Sequence, residues 1–139
     1  MTRWLLDTNV LSELRRPRPN ANVVRFVSEQ AIENLYASAA TLAEIRYGIE
    51  QVDDALKQIR LNTWLEHTVR PMLADRVNID EEILLRWRII VENARQQGYT
   101  FGEPDGLIAA TAKHHGLTVV SRDVTAYEFA NVPVLNPWK

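Results

Sequence analysis

Two short apolar runs, each stopped by a carboxylate, constrain the fold of this chain more than any other feature. Near the start, Trp4-Leu5-Leu6 runs into Asp7 and then into a helix-like pattern from Asn9 to Arg15. Late in the chain, Leu117-Thr118-Val119-Val120-Ser121 is followed by Asp123 and a helical turn through Tyr127 and Phe129. A continuous apolar strand suits burial on both faces, the environment of a parallel sheet covered by helices. In such a sheet Asp7 and Asp123 lie at the same carboxyl edge, where ligands of open α/β sheets bind.

The segments between these runs fit that frame. Pro17 and Pro19 end the first helix, and Asn20 or Asn22 caps a second with Val23, Val24, Phe26 and Val27 facing inward. Leu35–Ser38 reads as a strand. Thr41 opens a helix striped by Leu42, Ile45, Ile49 and Val52, and a further helix from about Asp54 is limited by Pro71. Arg76–Ile79 is a short strand. Asp80 then caps a long helix whose core face is Ile83, Leu84, Trp87, Ile90 and Val91, with Gly98 at its end. Asp105 begins a helix that is apolar on nearly every side and closes at Gly116, and Val132–Leu135 is the last strand. The expectation is a single α/β/α sandwich over residues 1–139, with a mostly parallel central sheet.

Composition narrows the chemistry. The chain has 139 residues, enough for one sizeable core. It contains no cysteine, which removes disulfides, thiolate metal sites and thiol nucleophiles. The net charge of −2 argues against coating nucleic acid through an overall field, yet leaves room for a local contact. No apolar run approaches the ~20 residues of a membrane span, and the first residues lack a secretory signal, so a cytoplasmic location is expected.

Four acids stand where chemistry is possible. Asp7 and Asp123 are either helix caps or site residues at the sheet edge. Asp105 is either a favourable charge at a helix start or a ligand held there. Glu44 lies about 100° from its helix's apolar stripe, beside Thr41 and Gly48, and is either solvated or part of a site. Gly48 leaves room for another backbone or a ligand to come close. Four carboxylates gathered together repel one another unless a cation neutralises them. Carboxylate oxygens suit Mg²⁺ or Mn²⁺, which can hold a phosphodiester and activate water. Thr8, Asn9, Ser121 and Arg122 flank the two strand ends as supporting groups or as turn residues. Arg15, Arg16 and Arg18 form a basic cluster beside the proposed site, either a solvated patch or a contact for RNA or a protein partner.

The segments Leu5–Glu13, Thr41–Ile49, Asp105–Ala112 and Val119–Asp123, in this order and followed by Val134-Leu135-Asn136-Pro137-Trp138, resemble the PIN domain, and more narrowly the VapC-type, FitB-like toxins of toxin–antitoxin pairs. The resemblance implies a Mg²⁺- or Mn²⁺-dependent ribonuclease with Asp7, Glu44, Asp105 and Asp123 as its acids, Asp7 and Asp105 being the firmer metal ligands. It also implies a homodimer and inhibition by a VapB-like antitoxin, through which alone operator DNA is reached. Two departures stand out. The family often has Asn or Asp at the position of Asp123, and its frequent Asp-Phe is here Ala126-Tyr127, so no carboxylate carries over to Ala126.

Two other classes are expected to be distinguishable. A non-catalytic module of this fold, binding RNA or an antitoxin, would have no reason to keep all four acids. A haloacid-dehalogenase-like phosphatase wants an Asp where Asn9 stands, and a receiver domain wants one at the end of the second strand, which Tyr36-Ala37-Ser38 does not supply.

Overall fold

The computed structural model describes residues 1–139. Five strands form one sheet in the order β3-β2-β1-β4-β5: β1 is Trp4–Leu6, β2 Leu35–Ser38, β3 Asp75–Val77, β4 Thr118–Val120 and β5 Val134–Leu135. Every pairing is parallel. The sheet is therefore wholly rather than mostly parallel. Its central pair is β1 and β4, in register at Trp4 with Thr118, Leu5 with Val119 and Leu6 with Val120.

Helices cover both faces. Because successive strand residues point to opposite sides, Leu5 and Val119 enter one core and Leu6 and Val120 the other. The first core is closed by α5 (Glu81–Gln96), α6 (Asp105–His115) and α7 (Val124–Phe129). The second is closed by α1 (Thr8–Leu14), α2 (Ala21–Glu29), α3 (Ala39–Glu50) and α4 (Ala55–Trp64). Leu65–Val69 and Arg70–Met72 continue α4 as wider and tighter helical turns, so the chain stays helical up to and through Pro71.

Local chemistry fixes the helix ends. Asn20 accepts from the Asn22 and Val23 N–H groups and is thus the cap of α2. Asp80 accepts from the Ile83 N–H at the start of α5. Gly116 ends α6 with φ +66°, a conformation that favours glycine.

Several expected assignments change; β3, for one, is Asp75–Val77 rather than Arg76–Ile79. Val24 on α2 and Leu84 on α5 are exposed, although both are apolar. On α5 the buried positions are Ile83, Ile90 and Ala94, with Trp87 packed against them; that line recurs at helical spacing and leaves Leu84 about 90° away on its flank. The last strand is Val134–Leu135 rather than Val132–Leu135. Val132 still enters the core, and Pro133, which has no N–H, contributes only its carbonyl, accepting from Val119 at 2.9 Å.

Helices α5 and α6 pack tightly at Gly106. A Cβ on Gly106 would lie 2.9 Å from Cδ1 of Trp87 and 3.1 Å from Cγ2 of Val91. Gly106→Ala is therefore expected to cost about 1–3 kcal/mol through overpacking, read as a lower denaturation midpoint. Being next to Asp105, the substitution is also expected to displace the start of α6.

Candidate active site

The strand order places a topological switch between β1 and β4. From β1 the chain moves to β2 on one side; the later strand β4 returns to the other side. Crevices at the carboxyl ends of such neighbours are the ligand sites of open α/β sheets. Asp7 leaves β1 there and Asp123 follows β4 there.

Asp7 is 3 % exposed and held on both oxygens. Oδ1 accepts from the Thr8 N–H at 2.7 Å, which makes Asp7 the cap of α1. Oδ2 accepts from the Ser121 hydroxyl at 2.7 Å and from the Tyr127 hydroxyl at 2.8 Å. Ser121 joins the two strand ends: its Oγ also accepts from Asn9 Nδ2 at 3.1 Å and from the Asp123 N–H at 3.0 Å. Asn9 Oδ1 in turn accepts from the Arg122 N–H at 3.4 Å. Asp123 caps α7 by accepting from the Ala126 N–H at 3.5 Å. Capping and membership of the acidic crevice thus coexist in Asp7 and Asp123.

Asp105 is the first residue of α6 and is half-buried. Its pKa is pushed up to about 6, first by burial and then by the negative charges of Asp7 and Asp123, helped by a hydrogen bond with Asp123. The three aspartates therefore share one electrostatic environment, and no Arg or Lys pairs with any of them. Burial, with the charges of Asp123 and Asp105, also raises the Tyr99 phenol. That ring stacks on Phe129 at 4.4 Å, giving the crevice an aromatic flank. The Tyr127 phenol is pushed far above its usual range, chiefly by burial and then by Asp7.

Glu44 stands apart from this trio and is not among the charges acting on Asp105. It is exposed on α3 and shares a groove of about 260 Å³ with Thr8, Ser12, Arg15 and Gly48. The groove begins beside Asp7, since Thr8 is its neighbour. Gly48 meets no other atom of the chain at the position of an added Cβ, so it serves no internal close approach, and its open side belongs to this groove. Arg15 lines the same groove, Arg16 pairs with Glu13 at 3.4 Å, and Arg18 is exposed. The Arg122 guanidinium lies over the Trp138 ring, 5.2 Å from its centroid. As the side chains stand, no three His, Asp or Glu are grouped closely enough to hold a metal ion.

Tyr127 and Tyr99 are the groups that sequence reasoning missed. Tyr127 reads as an apolar residue of a short helix, and its only signal is a hydroxyl on an aromatic four residues after Asp123. Tyr99 lies just beyond Gly98, outside any helix or strand.

Comparison with known proteins identifies the family. The PIN domain family matches residues 4–132. Toxin FitB of Neisseria gonorrhoeae is 41 % identical over 135 residues, covering 96 % of this chain and 97 % of that protein. A VapC ribonuclease of Sinorhizobium fredii is 38 % identical over 136 residues, covering 97 % of both. Among solved structures, the crystal structure of FitAcB from Neisseria gonorrhoeae superposes with a TM-score of 0.90 at 40 % identity, covering 97 % of this chain and 98 % of that one. On the strength of these matches and of the parallel sheet they share, the chain belongs to the PIN-domain family.

Proposed function

We propose that this protein is a divalent-metal-dependent ribonuclease, the toxin of a toxin–antitoxin pair held in check by a VapB-like antitoxin. The observation that carries the reading is the convergence of Asp7, Asp105 and Asp123 at the β1–β4 switch point without a cationic partner. Relatives named FitB toxin and VapC ribonuclease support the activity and the biological role. A solved FitAB complex on a DNA fragment, 38 % identical to this chain, supports an antitoxin as partner and DNA contact through it.

The donor set fits Mg²⁺ or Mn²⁺. It is all oxygen, it is anionic and it opens to solvent at Asp123. The hydroxyls of Thr8 and Thr41 are buried without a hydrogen-bond partner. Asp7 and Asp105 would hold the ion, with Asp123 on the acidic rim and Glu44 on the adjoining groove. Bound there, the ion would supply Lewis-acid activation of water and of the phosphodiester. The chain's own part is positional. Ser121 and Tyr127 fix Asp7, Asn9 ties α1 to the end of β4, and the helix start at Asp105 brings the second carboxylate within electrostatic reach of the first. Arg15, on the groove, and the exposed Arg18 are the cations we assign to contact with an RNA backbone or an antitoxin. Homodimerisation would use an apolar face; Leu85 and Ile89, one turn apart on α5, are both exposed.

The pH dependence follows from Asp105. Below about pH 6 its carboxyl is protonated and a proton competes with the ion; above it the carboxylate is free. Cleavage of RNA in Mg²⁺ is expected to rise with pH through a midpoint at or below about 6, lower the more Mg²⁺ is present, and to vanish with a chelator. Chelator-resistant cleavage would refute the reading.

A further inference from the structure

Asp7 has little hydrogen-bonding capacity to spare. A carboxylate offers about four lone-pair positions, two on each oxygen. Oδ2 accepts from two hydroxyls, Ser121 at 2.7 Å and Tyr127 at 2.8 Å. Oδ1 accepts from the Thr8 N–H at 2.7 Å. One position is left, and it is on Oδ1. Tyr127 heads the fully enclosed side chains in size, and its ring packs in the core with Ile108, Ala126 and Val132. Space-filling alone asks only for the ring; the hydroxyl reaches a residue 120 positions away in the chain.

We propose that Tyr127 is a positioning residue of the metal site: together with Ser121 it occupies Oδ2, so that Asp7 meets a divalent cation through Oδ1 alone. The inference rests on the nuclease reading of the same crevice. Its chemistry is that of outer partners of metal ligands, which fix the orientation of a ligating carboxylate. A buried phenol that merely takes the nearest acceptor would contribute to folding and leave cation affinity untouched, and that difference is measurable.

The experiment is Mn²⁺ titration of the RNA-free protein, followed by the loss of the free-ion electron paramagnetic resonance signal, for wild type, Tyr127→Phe and Ser121→Ala. Folding of each is checked by circular dichroism. Tyr127→Phe keeps the ring and removes only the donor. It is expected to weaken Mn²⁺ binding about tenfold, the scale of losing an outer partner of a ligand. RNA cleavage at saturating Mn²⁺ should change far less than the Mn²⁺ concentration needed to reach it. Ser121→Ala removes the other donor on Oδ2 and is expected to weaken binding similarly. Wild-type affinity in a folded Tyr127→Phe overturns the proposal while leaving the nuclease reading intact. Should that variant fail to fold, unchanged affinity in Ser121→Ala overturns it instead. Absence of saturable Mn²⁺ binding by the wild type would overturn both.

Discussion

Asp105→Asn is expected to abolish RNA cleavage and, at the same time, to stabilise the metal-free protein. Loss of an outer partner of a metal ligand costs about 10- to 100-fold, so loss of a ligand itself should exceed a hundredfold. The stability gain has a separate origin. In the fold the Asp105 carboxyl titrates at about 6, above its ordinary value of 3.8, because burial and the charges of Asp7 and Asp123 disfavour its ionised form. The folded state therefore binds the proton more tightly than the unfolded chain does. Stability contributed by this group is greatest at low pH and falls as pH rises from about 4 through 6. Above that window wild type carries the full repulsion and the Asn variant carries none. The carboxyl is half-exposed, so screening limits the gain to about 1 kcal/mol at pH 7.5. Thermal melts of both proteins in chelator, at pH 7.5 and pH 4, check this: the Asn variant should melt higher at the first and equal to wild type at the second. A variant that melts lower at pH 7.5 would mean that Asp105 is a structural helix-start residue and not one member of a repulsive cluster.

Asp7→Asn is expected to abolish cleavage as well, but to lower stability. The same exchange of charge for amide has the opposite sign because Asp7 is held by three donors and Asp105 is not. An Asn side chain has one oxygen. Placed at Oδ1 it still caps α1, but its NH₂ then faces the Ser121 and Tyr127 hydroxyls. Placed at Oδ2 it satisfies those and turns its NH₂ toward the Thr8 N–H. The Ser121 oxygen already accepts from Asn9 and from the Asp123 N–H, so it has little capacity to accept a third bond. At least one buried donor is left unmatched in either orientation, a cost of about 1–3 kcal/mol, partly offset by relief of repulsion. A melt at pH 7.5 should place Asp7→Asn below wild type and Asp105→Asn above it. Equal shifts for both would contradict the asymmetry that the hydrogen bonds impose.

That asymmetry marks the limit of what the sequence discloses. The strand ends at Asp7 and Asp123 are legible because a doubly buried strand must be apolar throughout, and a charge can appear only where the strand stops. The start of α6 is legible from Asp105 and the apolar run behind it. The burial of Ser121 and the three bonds of its hydroxyl are not, because they depend on β4 lying beside β1, a pairing 114 residues apart. Tyr127 is hidden for the same reason: a phenol within an apolar helix looks like core until its partner is placed. The misassigned faces of α2 and α5 have another cause. Val24, Leu84, Leu85 and Ile89 are apolar but exposed, and an apolar residue on a helix does not state which neighbour it serves. Glu44 follows the helical wheel, which sets it beside the apolar stripe of α3, and the structure finds it exposed at the groove that begins at Thr8.

Convergence of separate acids into one cation-demanding crevice is tested most directly by calorimetric titration of Mn²⁺ into the RNA-free protein at pH 7.5, with Asp7→Asn and Asp105→Asn alongside. Saturable binding by wild type, lost or greatly weakened in each variant although both remain folded, is the expected result. Equal Mn²⁺ affinity in all three proteins, or no saturable binding in any, would contradict it.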